Sequence, residues 1–89
     1  TAVAVHSIAT GFSATHVDRT LVVFRDLDDA EIERYLEQEK PYDCAGAFKA
    51  ESLGISLFRR IESVDPTGLI GLPLIRTAAM LRRAGFALP

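Results

Sequence analysis

Two opposite charges, Lys49 and Glu51, interrupt a run of small and apolar residues bracketed by Gly46 and Gly54. An ionised carboxylate only accepts hydrogen bonds and an ammonium only donates them. In a pocket wall, Glu51 could accept from the N–H edge of a base while Lys49 meets a phosphate or a neighbouring carboxylate. On a surface turn, the same two residues would form a weak Lys–Glu pair. Residue types alone leave both readings open. The segment 41–54 shows neither a helical nor a strand period, and an irregular stretch of that length between two elements calls for a reason. Gly46 and Gly54 are the loop-shaping candidates, since glycine permits backbone geometry and close approach that a side chain blocks.

The other reactive residue types have simpler explanations. No phosphate-cradling Gly-Lys-Ser/Thr loop, no Cys-x-x-Cys and no His-Glu-x-x-His occurs. His6 and His16 fall in predicted strands without ligand spacing and read as structural. The acidic pairs Asp28-Asp29 and Glu31–Glu33 sit where a helix starts, which accounts for them as capping and solvated residues rather than metal ligands. The single cysteine, Cys44, has no histidine near it in sequence, so a small buried hydrophobe is expected. No catalytic residue and no metal ligand is assigned to this chain.

Composition bounds the class. The chain has 89 residues, 48% of them hydrophobic, with a net charge of −2. That apolar share is high for a domain whose core is size-limited, and it predicts a face buried against something else. The absence of a basic excess argues against nucleic acid. Apolar runs are far shorter than the roughly 20 residues of a membrane span, so no membrane partner is expected. A lone cysteine fits a reducing compartment, and a cytoplasmic location is the expectation. Thr1 in place of Met, leading straight into an apolar stretch, reads as a cut edge.

The elements that must position these residues follow from periodicity. Residues 2–9 and 16–25 read as strands close enough to form a hairpin, with Thr10–Ser13 as a turn. Asp28 caps a helix that ends before Pro41, with Glu31 reaching back as in a capping box and Ile32, Tyr35 and Leu36 forming the buried stripe. Residues 55–64 read as a third strand and 65–68 as a turn. A last helix runs over 73–84, with Pro73 in its first turn and Gly85 as its C-terminal cap. The expected class is α/β, in the local order β-β-α-loop-β-α, with a three-stranded sheet and two helices.

The run Cys44-Ala45-Gly46-Ala47-Phe48-Lys49-Ala50-Glu51-Ser52-Leu53-Gly54-Ile55 resembles the Ala-Gly-Ala-aromatic segment of the Maf-type nucleoside triphosphate pyrophosphatases. Phe24-Arg25-Asp26-Leu27 and Asp29–Tyr35 upstream agree with it. So do Leu57–Glu62 and Leu69-Ile70-Gly71-Leu72-Pro73-Leu74 downstream, so that the likeness covers about residues 17–86. The resemblance implies the C-terminal portion of a Maf/ITPase-like mixed-sheet fold, with residues 1–89 one part of a single domain whose N-terminal half is absent. It implies hydrolysis of a nucleoside triphosphate between the α- and β-phosphates, assisted by Mg²⁺ or Mn²⁺, and a homodimer when intact. The family's catalytic Asp and its Ser/Arg-rich phosphate motif match no residue here.

One role carries over by that resemblance. The position of Glu51 is Gln in the subfamily acting on dTTP and UTP, and Glu in the subfamily resembling 7-methyl-GTP pyrophosphatases. Glu51 therefore implies substrate specificity for a 7-methylguanine base, with Lys49 as a possible substrate contact. Ser52 stands where glycine is usual and would strain the loop if the position requires a positive φ. The alternatives are a dTTP/UTP pyrophosphatase of the same family and a non-enzymatic α+β interaction module.

Overall fold

In the first unit, residues 1–20 and 63–89 of a computed structural model that describes all of Thr1–Pro89, the chain starts as a hairpin. Strand β1 (Ala2–His6) pairs antiparallel with β2 (Ser13–Val17), in the register Ala2↔Val17 to His6↔Ser13. Alternation sets the faces: Val3, Val5, Ala14 and His16 turn inward, while Ala2, Ala4 and His6 stay exposed. β1 stops at His6, short of residue 9, because Ser7 and Gly11 are taken by the turn. The Ser7 N–H donates to Phe12 O at 2.8 Å and the Gly11 N–H to Ser7 O at 2.9 Å.

The same unit continues with helices α2 (Thr67–Ile70) and α3 (Leu74–Arg83). Residues 65–68 are thus not merely a turn; Thr67 already begins a helix, and Pro73 stands just before α3 rather than in its first turn. Met80, only 2% exposed, and Pro73 are the deepest side chains of the unit. α3 ends as the sequence predicts: the Phe86 N–H donates to Leu81 O at 3.0 Å and the Gly85 N–H to Arg82 O at 3.1 Å, with Gly85 at φ 111°.

The second unit is residues 21–62. Strand β3 (Leu21–Phe24) pairs antiparallel with β4 (Phe58–Glu62), with a bulge between Val23 and Phe24. The predicted strand 16–25 is therefore two strands, and the predicted three-stranded sheet is two separate two-stranded sheets. The polar triplet Asp18-Arg19-Thr20 is the joint: the Asp18 N–H closes the β1–β2 ladder on Thr1 O, and pairing with β4 begins only at Leu21.

Helix α1 (Asp29–Glu39) forms where capping chemistry places it. Asp28 Oδ1 accepts from the Glu31 N–H at 2.7 Å, and Lys40 ends the helix in a left-handed conformation before Pro41. Glu31 does not complete a capping box; its carboxylate binds Arg25 Nη2 at 2.9 Å instead. Of the predicted stripe, Tyr35 is buried, Leu36 half-buried and Ile32 exposed. The predicted strand 55–64 is shortened, because Leu53–Leu57 coils as a 3-10 helix before β4. Its apolar residues at 53, 55 and 57 mimic strand alternation, but Ser56 Oγ donates to Leu53 O at 2.7 Å and locks the tight turn. Three rings close this unit's core: Phe24, Phe48 and Phe58 meet edge to face with centroids 5.1–5.9 Å apart.

Candidate functional site

Residues 35 and 39 lie on one face of α1, a helical turn apart. Both reach the same loop. Tyr35 Oη accepts from the Lys49 N–H at 2.7 Å, and Glu39 Oε1 accepts from the Leu53 N–H at 2.6 Å. Between these anchors the chain turns, with the Ser52 N–H donating to Lys49 O at 3.2 Å. Gly54 is buried against this turn. A Cβ there would lie 2.2 Å from Lys49 O, so no other residue fits without moving backbone. Ser52 adopts φ −130°, outside the left-handed region, so the positive φ that would have strained a serine is not required here.

This scaffold leaves Glu51 at the tip, exposed. The chain's ion pairs are His16–Asp18, Arg25–Glu31, Arg59–Asp26 and Arg60–Glu62. None joins Lys49 to Glu51, so the surface-pair reading of those two residues does not hold. Lys49 is half-buried, and its charge acts on both the Glu39 carboxylate and the Cys44 thiol. The Ser52 hydroxyl beside Glu39, then the Leu53 N–H, hold the Glu39 carboxyl below its ordinary range. Of these two, the Leu53 N–H has the distance and angle of a formed hydrogen bond.

Cys44 is half-buried rather than fully buried, with Sγ 3.6 Å from Asp43 Oδ1. Burial pushes its thiol up, and the negative charges of Asp43 and Glu51 add to that against Lys49. A raised thiol without a neighbouring imidazole is a poor nucleophile.

Next to the loop, within the same unit, lies an apolar cavity of about 230 Å³ lined by residues including Phe24, Ile32, Tyr35, Gly46, Phe48 and Leu57. Gly46 turns the chain here at φ 70°, and a Cβ on it would come within 2.9 Å of the Phe48 ring. The cavity supplies shape and little polarity, since its one hydroxyl, that of Tyr35, already serves Lys49. Neither Lys49 nor Glu51 lines it. The residues singled out from sequence are therefore divided: Gly46 shapes the cavity, while Lys49, Glu51 and Gly54 build the charged turn.

Sequence reasoning missed the two anchors. From the sequence Tyr35 reads only as part of the apolar stripe, and Glu39 carries no assignment. Their four-residue spacing was the available signal. It also missed two buried acids of the first unit. Asp65, 3% exposed, accepts from the Thr67 N–H at 2.9 Å, the Thr67 hydroxyl at 2.5 Å and the Ile75 N–H at 2.9 Å. It thereby joins the starts of α2 and α3. Asp18, 4% exposed, lies 3.8 Å from His16 Nε2 and packs against Gly68, with Oδ2 unpartnered. No three His, Cys, Asp or Glu side chains gather as a metal site. No helix is long and apolar enough to cross a membrane.

Known proteins give this geometry its context. The family model described as Maf-like protein matches residues 1–84. A protein of Polaromonas sp. (strain JS666) named 7-methyl-GTP pyrophosphatase is 53% identical over 88 residues, covering 99% of this chain and 40% of that protein. Proteins of the same name from Hahella chejuensis and Xanthomonas oryzae pv. oryzae (strain MAFF 311018) are 59% and 62% identical, covering 84% and 82% of this chain and 38% of each relative. The chain thus spans about two fifths of the length of these relatives.

Proposed function

The chain belongs to the Maf-like protein family, and from that premise we propose that it is the base-reading part of a 7-methyl-GTP pyrophosphatase. The intact enzyme would cleave between the α- and β-phosphates to give a nucleoside monophosphate and pyrophosphate. The observation that carries this reading is Glu51: an exposed carboxylate, unpaired within the chain, on a turn fixed at both ends by α1.

Such a group accepts two hydrogen bonds side by side, matching the adjacent N–H donors of a guanine edge. Methylation at N7 adds positive charge to the base, which a carboxylate favours further. A uracil or thymine edge presents both a donor and an acceptor, for which an ionised Glu has no donor to offer. Lys49, held by its own backbone N–H, is the possible second contact, to a phosphate oxygen. The names of the relatives support the same substrate.

The divalent cation, Mg²⁺ or Mn²⁺, and homodimerisation belong to this proposal as expectations from the family, with the cation's ligands and the water-activating base outside residues 1–89. Hydrolysis assays on the intact protein decide the substrate. 7-methyl-GTP should be turned over in preference to dTTP and UTP, with pyrophosphate as co-product. Preference for dTTP or UTP would reassign the subfamily, and absence of any hydrolysis would favour a non-enzymatic module.

A further inference from the structure

We propose that Tyr35 and Glu39 are positioning residues for substrate selection, acting through the Glu51 turn rather than on substrate themselves. The inference rests on Glu51 reading the base, and it adds what aims Glu51. The turn from Lys49 to Leu53 hangs on α1 by two hydrogen bonds, Lys49 N–H to Tyr35 Oη at 2.7 Å and Leu53 N–H to Glu39 Oε1 at 2.6 Å. Each bridges 14 residues of sequence. Both acceptors are carried by residues one turn apart on a regular helix, so the spacing of their backbones is fixed by helix geometry rather than by loop packing. Inside the turn only the Ser52 N–H to Lys49 O bond, at 3.2 Å, adds a further tie.

Glu51 is exposed and takes part in none of the chain's ion pairs, so no such partner would orient it once the turn loosens. Its direction is set by the backbone on either side, and that backbone is set by Tyr35 and Glu39. A displacement of about 1 Å in a group that must meet two donors at once forfeits much of its effect. Glu39 meets the turn as an acceptor, through Oε1. Glutamine, which keeps a carbonyl oxygen at the same reach, should therefore replace it, and alanine should not. Lys49, the one cation acting on Glu39, holds its place through its own N–H on Tyr35.

The test is a double-mutant cycle in the intact enzyme, with steady-state kinetics on 7-methyl-GTP, GTP and UTP. Glu39→Ala and, separately, Tyr35→Phe should each lower kcat/KM for 7-methyl-GTP about tenfold, the range of coupling seen between interacting sites. The loss should appear in KM with kcat nearly unchanged, and selectivity over UTP should fall with it. Glu39→Gln should recover most of the loss. In a Glu51→Gln background, Glu39→Ala should cost less than about twofold, because the residue it aims is already gone.

Equal losses of Glu39→Ala in both backgrounds, or a fall in kcat for all three nucleotides with unchanged selectivity, would overturn the positioning role while leaving Glu51 as base reader. Should Glu51→Gln itself leave selectivity untouched, the base-reading assignment fails and this inference with it. Tyr35→Phe keeps the ring in place and removes only the acceptor, so it answers the question even if Glu39→Ala folds poorly.

Discussion

Asp65 and Glu51 are both carboxylic acids at chain turns, and the molecule treats them in opposite ways. Asp65 is buried and takes three hydrogen bonds, two of them from the backbone of separate helices. Glu51 is exposed and takes none from its own chain. Polar groups withdrawn from water must be satisfied internally, so an acid like Asp65 is committed to architecture. An acid held outward on a braced turn keeps its acceptor capacity for a ligand. The unit of residues 1–20 and 63–89 accordingly uses its acids to join elements, and the unit of residues 21–62 uses Tyr35 and Glu39 to hold one acid free.

The sharpest way to break this contrast is at Gly68. A Cβ there would fall 2.0 Å from Asp18 Oδ2 and 2.9 Å from its Cγ, with Asp18 buried and unable to swing into water. Gly68→Ala should cost about 2 kcal/mol, as overpacking does in closed sites. Denaturant unfolding of the intact protein measures it. Adding Asp18→Ala should restore much of the loss, since it removes both the clash and an unpartnered buried oxygen. An unperturbed Gly68→Ala protein would show that this region is not closely packed.

A smaller effect separates the acids by pH. The Thr67 hydroxyl first, then the Ile75 and Thr67 N–H groups, hold Asp65 below its ordinary value of 3.8 against the opposing effect of burial. Its folded form is the better acid, so its stabilisation is complete above that value and is lost as pH falls through the lower, folded one. The unfolding midpoint should therefore drop between about pH 5 and about pH 3 more steeply in the wild type than in Asp65→Asn. Glu39 shifts in the same direction, but as a more accessible group its contribution is screened and smaller.

The smallest effect is expected at Ser52. Its φ of −130° lies outside the left-handed region that favours glycine. Ser52→Gly should change stability by less than about 0.5 kcal/mol, as substitutions away from special backbone geometry do. A clear gain in thermal midpoint would mean that the turn is strained after all.

What could be read from the sequence divides along the range of the interactions. The Asp28 cap and the Phe86–Leu81 end of α3 are contacts among residues three to five apart, and both stand where local pattern puts them. The division of residues 16–25 into two strands was not legible, because it depends on which partner each half finds. The coil at Leu53–Leu57 was hidden by apolar residues spaced as in a strand. At the site, Gly54 and Glu51 were visible as residue types, whereas their supports were not. Tyr35 passes for a core aromatic and Glu39 for a solvated acid until the chain folds back over 14 positions. Asp65 likewise looks like an ordinary turn residue, and its bond to the Ile75 N–H crosses ten positions.

The central claim is that Glu51 reads the base. Its most direct test is the ratio of kcat/KM for 7-methyl-GTP to that for UTP, measured in the intact enzyme before and after Glu51→Gln. The ratio should fall by about a hundredfold, as expected when paired hydrogen bonds to a substrate edge are replaced by a mismatched one. The thermal midpoint should stay unchanged, since Glu51 supports nothing else in the fold. An unchanged ratio would contradict the account and return Glu51 to the surface.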